Sequence, residues 1–122
     1  MYLNKYNNSM QPTLTVRFYC SQAGKEPVRE WLKNDLSIDA RKAIGADIKT
    51  VQFGWPIGMP VVRKMEADLW EVRSDIVGGI ARVLFTVVDS TMVLLQGFVK
   101  KSSGTPKNDL ELARSRMKEV LK

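Results

Sequence analysis

Histidine is absent from this chain of 122 residues, and cysteine occurs once. Without histidine the chain lacks the commonest general base and the commonest protein metal ligand. No carboxylate cluster has ligand-like spacing either, so neither a metal nor a cofactor is expected. A single cysteine, Cys20, excludes an intramolecular disulfide and fits a reducing cytoplasm. It ends an apolar run and reads as a core filler. No apolar run approaches the roughly 18 residues of a membrane span. The opening MYLNKYNNSMQP is polar and Asn-rich and lacks the apolar stretch of a secretory signal. A flexible segment over residues 1–12 ahead of a single domain over 13–122 is expected. Acidic residues are also scarce: 13 Asp and Glu stand against 19 Lys and Arg, for a net charge of +6. An excess of that sign suits a polyanionic partner, such as nucleic acid or an acidic protein, or serves solubility alone.

What is present alternates between strand and helix patterns. LTVRFYC, residues 14–20, is β-branched and aromatic and predicts a first strand. Pro27 sits at the first position of a short helix running to about Asn34. Ser37 is placed to cap a second helix, along which Ile44, Ile48 and Val51 form one stripe. Gly54 and Pro56 stop it. After the loop GWPIGMP, four strand-like segments follow: VVRKM, LWEVRSDI, IARVLFTVVD and TMVLLQGFVKK. Gly78-Gly79 and Asp89-Ser90 turn the chain between them. IARVLFTVVD is almost wholly apolar, as a central strand covered on both faces would be. Thr105 as N-cap and Pro106 as first residue open a last helix, whose stripe is Leu110, Ala113, Met117, Val120 and Leu121. The order β-α-α-β-β-β-β-α predicts an α+β domain, with a mostly antiparallel four-stranded meander and helices on one face.

The strands carry cations: Arg73, Arg82, Lys100 and Lys101, with no balancing carboxylate cluster. Strands tolerate unpaired cations poorly, and a sheet holding several suits an anion. If the turn after LWEVRSDI has two residues, Arg73 and Arg82 share a face; an odd loop separates them. Lys100 and Lys101 occupy both parities, so one of them joins the Arg82 face. The alternative is that Arg73 pairs with Glu71 or Asp75 while the lysines point into solvent. Arg63 and Lys64 either extend a phosphate track or end a solvated strand. Trp55 and Phe98 either stack on bases or pack in the core. Trp31 and Trp70 lie on apolar stripes. Arg114, Arg116 and Lys118 read as a solvated helix face.

The runs LWEVR, GIARV, VLLQGFVKK and TPKNDLELAR, with the earlier PVREWL, occur in order at compatible separations. Together they resemble the HigB-like, phage-derived branch of the RelE/ParE toxin superfamily over about residues 14–121. The resemblance implies a RelE-like fold and a toxin of a type II toxin–antitoxin pair. Such toxins cut mRNA without a metal, usually on the ribosome, and bind a helix-turn-helix antitoxin of the HigA kind. Matched residue by residue, Arg73, Arg82, Lys100 and Lys101 fall on the family's basic sheet. Thr105, Pro106 and Lys107 match the segment opening its last helix. Relatives of the ParE kind share the scaffold but act on DNA gyrase.

Cleavage of RNA through its own 2′-OH needs an aligned nucleophile, a stabilised phosphorane and proton movement. Arginine forks hold phosphate oxygens in pairs, while lysine acts as a point charge. The expected roles are therefore a clamp by Arg73 and Arg82 and charge neutralisation or leaving-group protonation by Lys100 or Lys101. Arg63, Lys64, Phe98, Thr105 and Lys107 are expected RNA contacts. Tyr2, Tyr6 and Tyr19 all lie near the N-terminus, and the tyrosine or histidine that some relatives place late in the chain is missing. A lysine crowded by other cations, or Glu71, is left as the base.

Overall fold

The computed structural model describes residues 11–100 and 105–122. The expectations for residues 1–10, for Lys101 and for the connection 102–104 lie outside them. Strand β1 (Thr15–Phe18) leads into helices α1 (Pro27–Asn34) and α2 (Ile38–Gly54). Strands β2 (Val62–Glu66), β3 (Leu69–Ile76), β4 (Gly79–Val88) and β5 (Thr91–Lys100) follow, and helix α3 (Lys107–Leu121) closes the chain.

Local chemistry accounts for most of these boundaries. Pro27 opens α1, where its missing N–H is no loss. The Ser37 hydroxyl accepts from the Ala40 amide at 3.1 Å and caps α2. Gly54 is the last helical residue and Trp55 the cap; Pro56 then prevents continuation. Two-residue turns join the later strands. Gly78 supplies φ +89° between β3 and β4. Asp89 and Ser90, at φ 48° and 61°, are both left-handed between β4 and β5, as a type I′ hairpin turn requires.

Among the described residues the strands form one five-stranded sheet in the order β1-β5-β4-β3-β2. The four-stranded antiparallel meander is present, and β1 adds a fifth strand parallel to β5. That parallel edge was not expected. It follows from the α1–α2 hairpin, which carries the chain from one edge of the sheet to the other.

The helices also divide differently from expectation. One core joins Val28 of α1 and Ile44, Ile48 and Val51 of α2 to Val72, Ala81, Val83, Phe85 and Leu94. A second core, on the opposite face, joins Ala113 and Met117 of α3 to Leu69, Leu84, Val93, Leu95 and Phe98. Helices therefore cover both faces, which is why β4 carries apolar side chains of both parities. Trp55 caps the first core: its ring meets Trp70 edge-on at 5.0 Å and Phe85 at 5.7 Å. Trp31 of α1 lies so close over β5 that a Cβ at Gly97 would overlap its ring.

Candidate functional site

The site begins with register. Val77-Gly78 is a two-residue turn, and Arg73 stands directly opposite Arg82, so the two arginines share the α3 face. In β5 the register slips once. Phe85 pairs with Leu94 but Leu84 pairs with Gln96, leaving Leu95 as an extra residue. Past this bulge Arg82 pairs with Phe98 and Ile80 with Lys100. The bulge is what sets Lys100, rather than Val99, on the arginine face. On the other side Arg63 pairs with Glu71 and joins the same face, while Lys64 pairs with Trp70 and faces away.

Proximity does not make these cations alike. Arg82 is only 3% exposed, and its guanidinium donates to Glu71, which has no exposure at all, at 3.3 Å. The Thr105 hydroxyl donates to the other Glu71 oxygen at 2.9 Å. A balancing carboxylate is therefore present after all, and it serves Arg82, not Arg73. A lone buried carboxylate would be costly, and its two donors make its burial tolerable. Thr105 is thereby diverted from capping α3; Pro106 takes the cap position and the helix starts at Lys107.

Arg73 and Lys100 are half-buried, while Arg63, Lys64 and Lys107 are exposed. Arg73 forms no ion pair among the described residues. Its Nε is buried and likewise without a partner among them. Arg73 lines a cleft of about 340 Å³ together with Asp47, Pro60, Val61, Asp75 and Ile80. Phe98 is buried in the α3-side core, so its ring packs against apolar neighbours and is not offered to a base.

Sequence reasoning missed the polar clips that hold α3. Arg116 donates to the carbonyl of Leu95, the extra residue of the bulge, at 2.8 Å and to Gln96 Oε1 at 2.7 Å. Its guanidinium also lies 5.4 Å from the centre of the Tyr19 ring. Gln96 in turn donates to Asp109 at 2.8 Å. The Tyr19 hydroxyl donates to Glu119, 3.0 Å from each oxygen; burial and this carboxylate raise the Tyr19 pKa. At the far edge Arg114 pairs with Glu66 at 2.8 Å. Arg114 and Arg116 are thus fasteners, and of the three expected solvated cations only Lys118 is left without such a tie among the described residues. Glu71, Arg116 and Glu119 gave no spacing signal, because their partners are 11 to 100 residues away.

Among the described residues no group of three His, Cys, Asp or Glu side chains could hold a metal ion. No helix among them is long and apolar enough to cross a membrane. The exposed cations Arg63 and Lys107, with the half-buried Arg73 and Lys100, can meet an anion on the α3 face, which Lys64 does not share; Arg82 and Glu71 can stiffen the floor beneath it.

No curated protein matches the chain. A family model does: phage derived protein Gp49-like (DUF891), over residues 30–118, from within α1 to near the end of α3. That match spans most of the chain, which belongs to the phage-derived Gp49-like family, a family associated with RelE-like toxins.

Proposed function

We propose that the protein is the toxin of a type II toxin–antitoxin pair and a metal-independent endoribonuclease that cuts mRNA on the ribosome. The observation that carries this reading is the lateral register of Arg73, Arg82 and Lys100 on one face of three adjacent strands. Family membership supports the toxin context. The partner in this reading is a HigA-like helix-turn-helix antitoxin, and a +6 chain suits an acidic antitoxin surface.

The roles follow from exposure. As the 2′-oxygen bonds to phosphorus, loses its proton to solvent and expels the 5′-oxygen, Lys100 is the cation that neutralises the developing phosphorane charge, with Lys101 beside it in sequence. Arg73 binds the substrate next to the cut. Arg82, buried and held by Glu71, braces the floor beneath the reacting phosphate. Both Glu71 oxygens already accept hydrogen bonds, so Glu71 orients Arg82 here and does not serve as the base. Arg63 and Lys107 track the backbone, while Lys64, on the other face, takes no part. Loss of one well-placed donor to a phosphorane costs about 10²–10³ in rate.

Primer extension on a defined mRNA in a cell-free translation reaction tests this. The expected result is cuts within codons, present only with active ribosomes and reduced about 10²-fold or more by Lys100→Gln. Arg82→Lys is the second variant, because it keeps a charge for Glu71 while removing the fork. Uncut mRNA with folded wild-type protein overturns the nuclease. The burial of Arg82 against Glu71 favours one other reading, a basic module that docks RNA or an antitoxin without catalysis; salt-sensitive RNA binding with intact RNA identifies it. Gyrase poisoning with uncut mRNA identifies a ParE-like activity.

A further inference from the structure

The Arg73 cleft has a composition unlike the rest of the basic face. Its lining residues are one basic, two acidic and three apolar: Arg73, Asp47, Asp75, Pro60, Val61 and Ile80; Arg73, Asp75 and Ile80 share the α3 face, and Asp47 reaches the rim from the helix on the other. Asp47 comes from α2, Pro60 and Val61 from the loop before β2, and the rest from β3 and β4. The cleft thus lies where α2 passes the Arg73 end of the sheet. Arg73 pairs with neither carboxylate, although Asp75 lies two residues along its own strand face. Its buried Nε has no acceptor among the described residues.

Charge narrows what the cleft takes. With two carboxylates against one cation the cleft itself disfavours a phosphate, which belongs at Lys100 further along the face, and a cationic side chain would meet Arg73. A neutral planar group that presents acceptors on one edge and donors on another satisfies both. A volume of about 340 Å³ is at the small end for ligand sites, and the walls of Ile80, Val61 and Pro60 suit the faces of a flat ring. Nucleobases of single-stranded RNA are read in this way on their Watson–Crick and Hoogsteen edges.

Hydrogen-bond patterns then select the base. A carboxylate accepting through both oxygens needs two adjacent donors. Among the four neutral bases only guanine has them, at N1–H and the 2-amino group. An arginine fork needs two adjacent acceptors, and O6 and N7 of guanine are the commonest such pair. The two edges converge on one base. We propose that the cleft is a guanine subsite, with Arg73 donating to O6 and N7 and Asp75, on the same strand face, accepting from N1–H and the 2-amino group. This deepens the nuclease reading and rests on it for the identity of the ligand as RNA.

Titration of the isotopically labelled full chain with the four 5′-mononucleotides is the test, since their phosphate is common and only the base differs. GMP is expected to shift the amides of Asp47, Val61, Arg73 and Ile80 and to bind about tenfold or more tighter than AMP, CMP or UMP. Asp75→Asn is expected to bind all four alike while keeping its fold. Equal binding of the four, or shifts elsewhere only, overturns the subsite. Mapping the cuts separates this from the parent reading. A wild-type protein that cuts mRNA with no guanine bias beside the cut overturns the subsite and leaves the nuclease. GMP selectivity at the cleft in a protein that cuts no RNA retains the subsite and overturns the nuclease.

Discussion

Glu71 keeps its carboxylate out of solvent because Arg82 and Thr105 each donate to it. Removing one member of a buried pair strands the other, at a cost of about 3–5 kcal/mol. Glu71→Gln and Arg82→Met are therefore expected each to destabilise the fold by about that amount, read as a lower urea midpoint at unchanged m-value. Glu71→Leu combined with Arg82→Met removes both charges and is expected to recover most of the loss. A double variant no more stable than the single ones shows that the pair is not the source of the cost. Arg82→Ala is a poor probe of catalysis for the same reason, since lost activity and lost fold coincide. At this scale the sequence showed which cations share a face once the turn length was known. It did not show that Glu71 belongs to Arg82, since Glu71 is equally near Arg73 along its own strand.

The β5 strand illustrates how an element carries information that its residues separately do not. Gly97 is required because the Trp31 ring of α1 occupies the space of its Cβ. Gly97→Ala is expected to cost about 1–3 kcal/mol through overpacking. A smaller ring-free residue in Trp31→Leu should relieve much of that cost in the double variant, and a double-mutant cycle measures the coupling. Strict additivity of the two changes would show that the ring and the strand do not compete. The bulge at Leu95 is the second device in this strand. It selects Lys100 for the arginine face, and Arg116 of α3 satisfies the carbonyl it frees. The apolar pattern of TMVLLQGFVKK shows a strand but not the slip within it, since with helices on both faces Leu95 and Gln96 fit either one.

Across the whole molecule, α3 is fastened to both sheet edges, by Glu119 to Tyr19 near β1 and by Arg114 to Glu66 on β2. The raised Tyr19 pKa sets a sign for alkaline stability. The folded state holds this proton more tightly than the unfolded one. The contribution is therefore complete below the unfolded value of about 10 and lost as pH rises through the raised folded value. Melting temperature above pH 10 is expected to fall more steeply in the wild type than in Tyr19→Phe, which is itself about 1 kcal/mol less stable at neutral pH. Parallel curves would remove Tyr19 from this role. The net charge of +6 belongs to the same scale. RNA affinity is expected to fall linearly with the logarithm of salt concentration, and Arg63→Gln and Lys107→Gln each to reduce the slope by about 0.7 on single strands. A slope unchanged by both places the RNA elsewhere.

The sequence by itself determined the helices, the hairpin turns and the meander, because capping residues, Pro and Gly positions and apolar periodicity act within a few residues. It also determined that an excess of cations meets the solvent. Only the tertiary structure decided that β1 lies parallel to β5, that α3 takes the opposite face from α1 and α2, and that Arg82 is inside while Arg73 lines a cleft. Those outcomes depend on pairings across the sheet and between layers, where the partner of each residue is chosen by packing and desolvation rather than by distance along the chain.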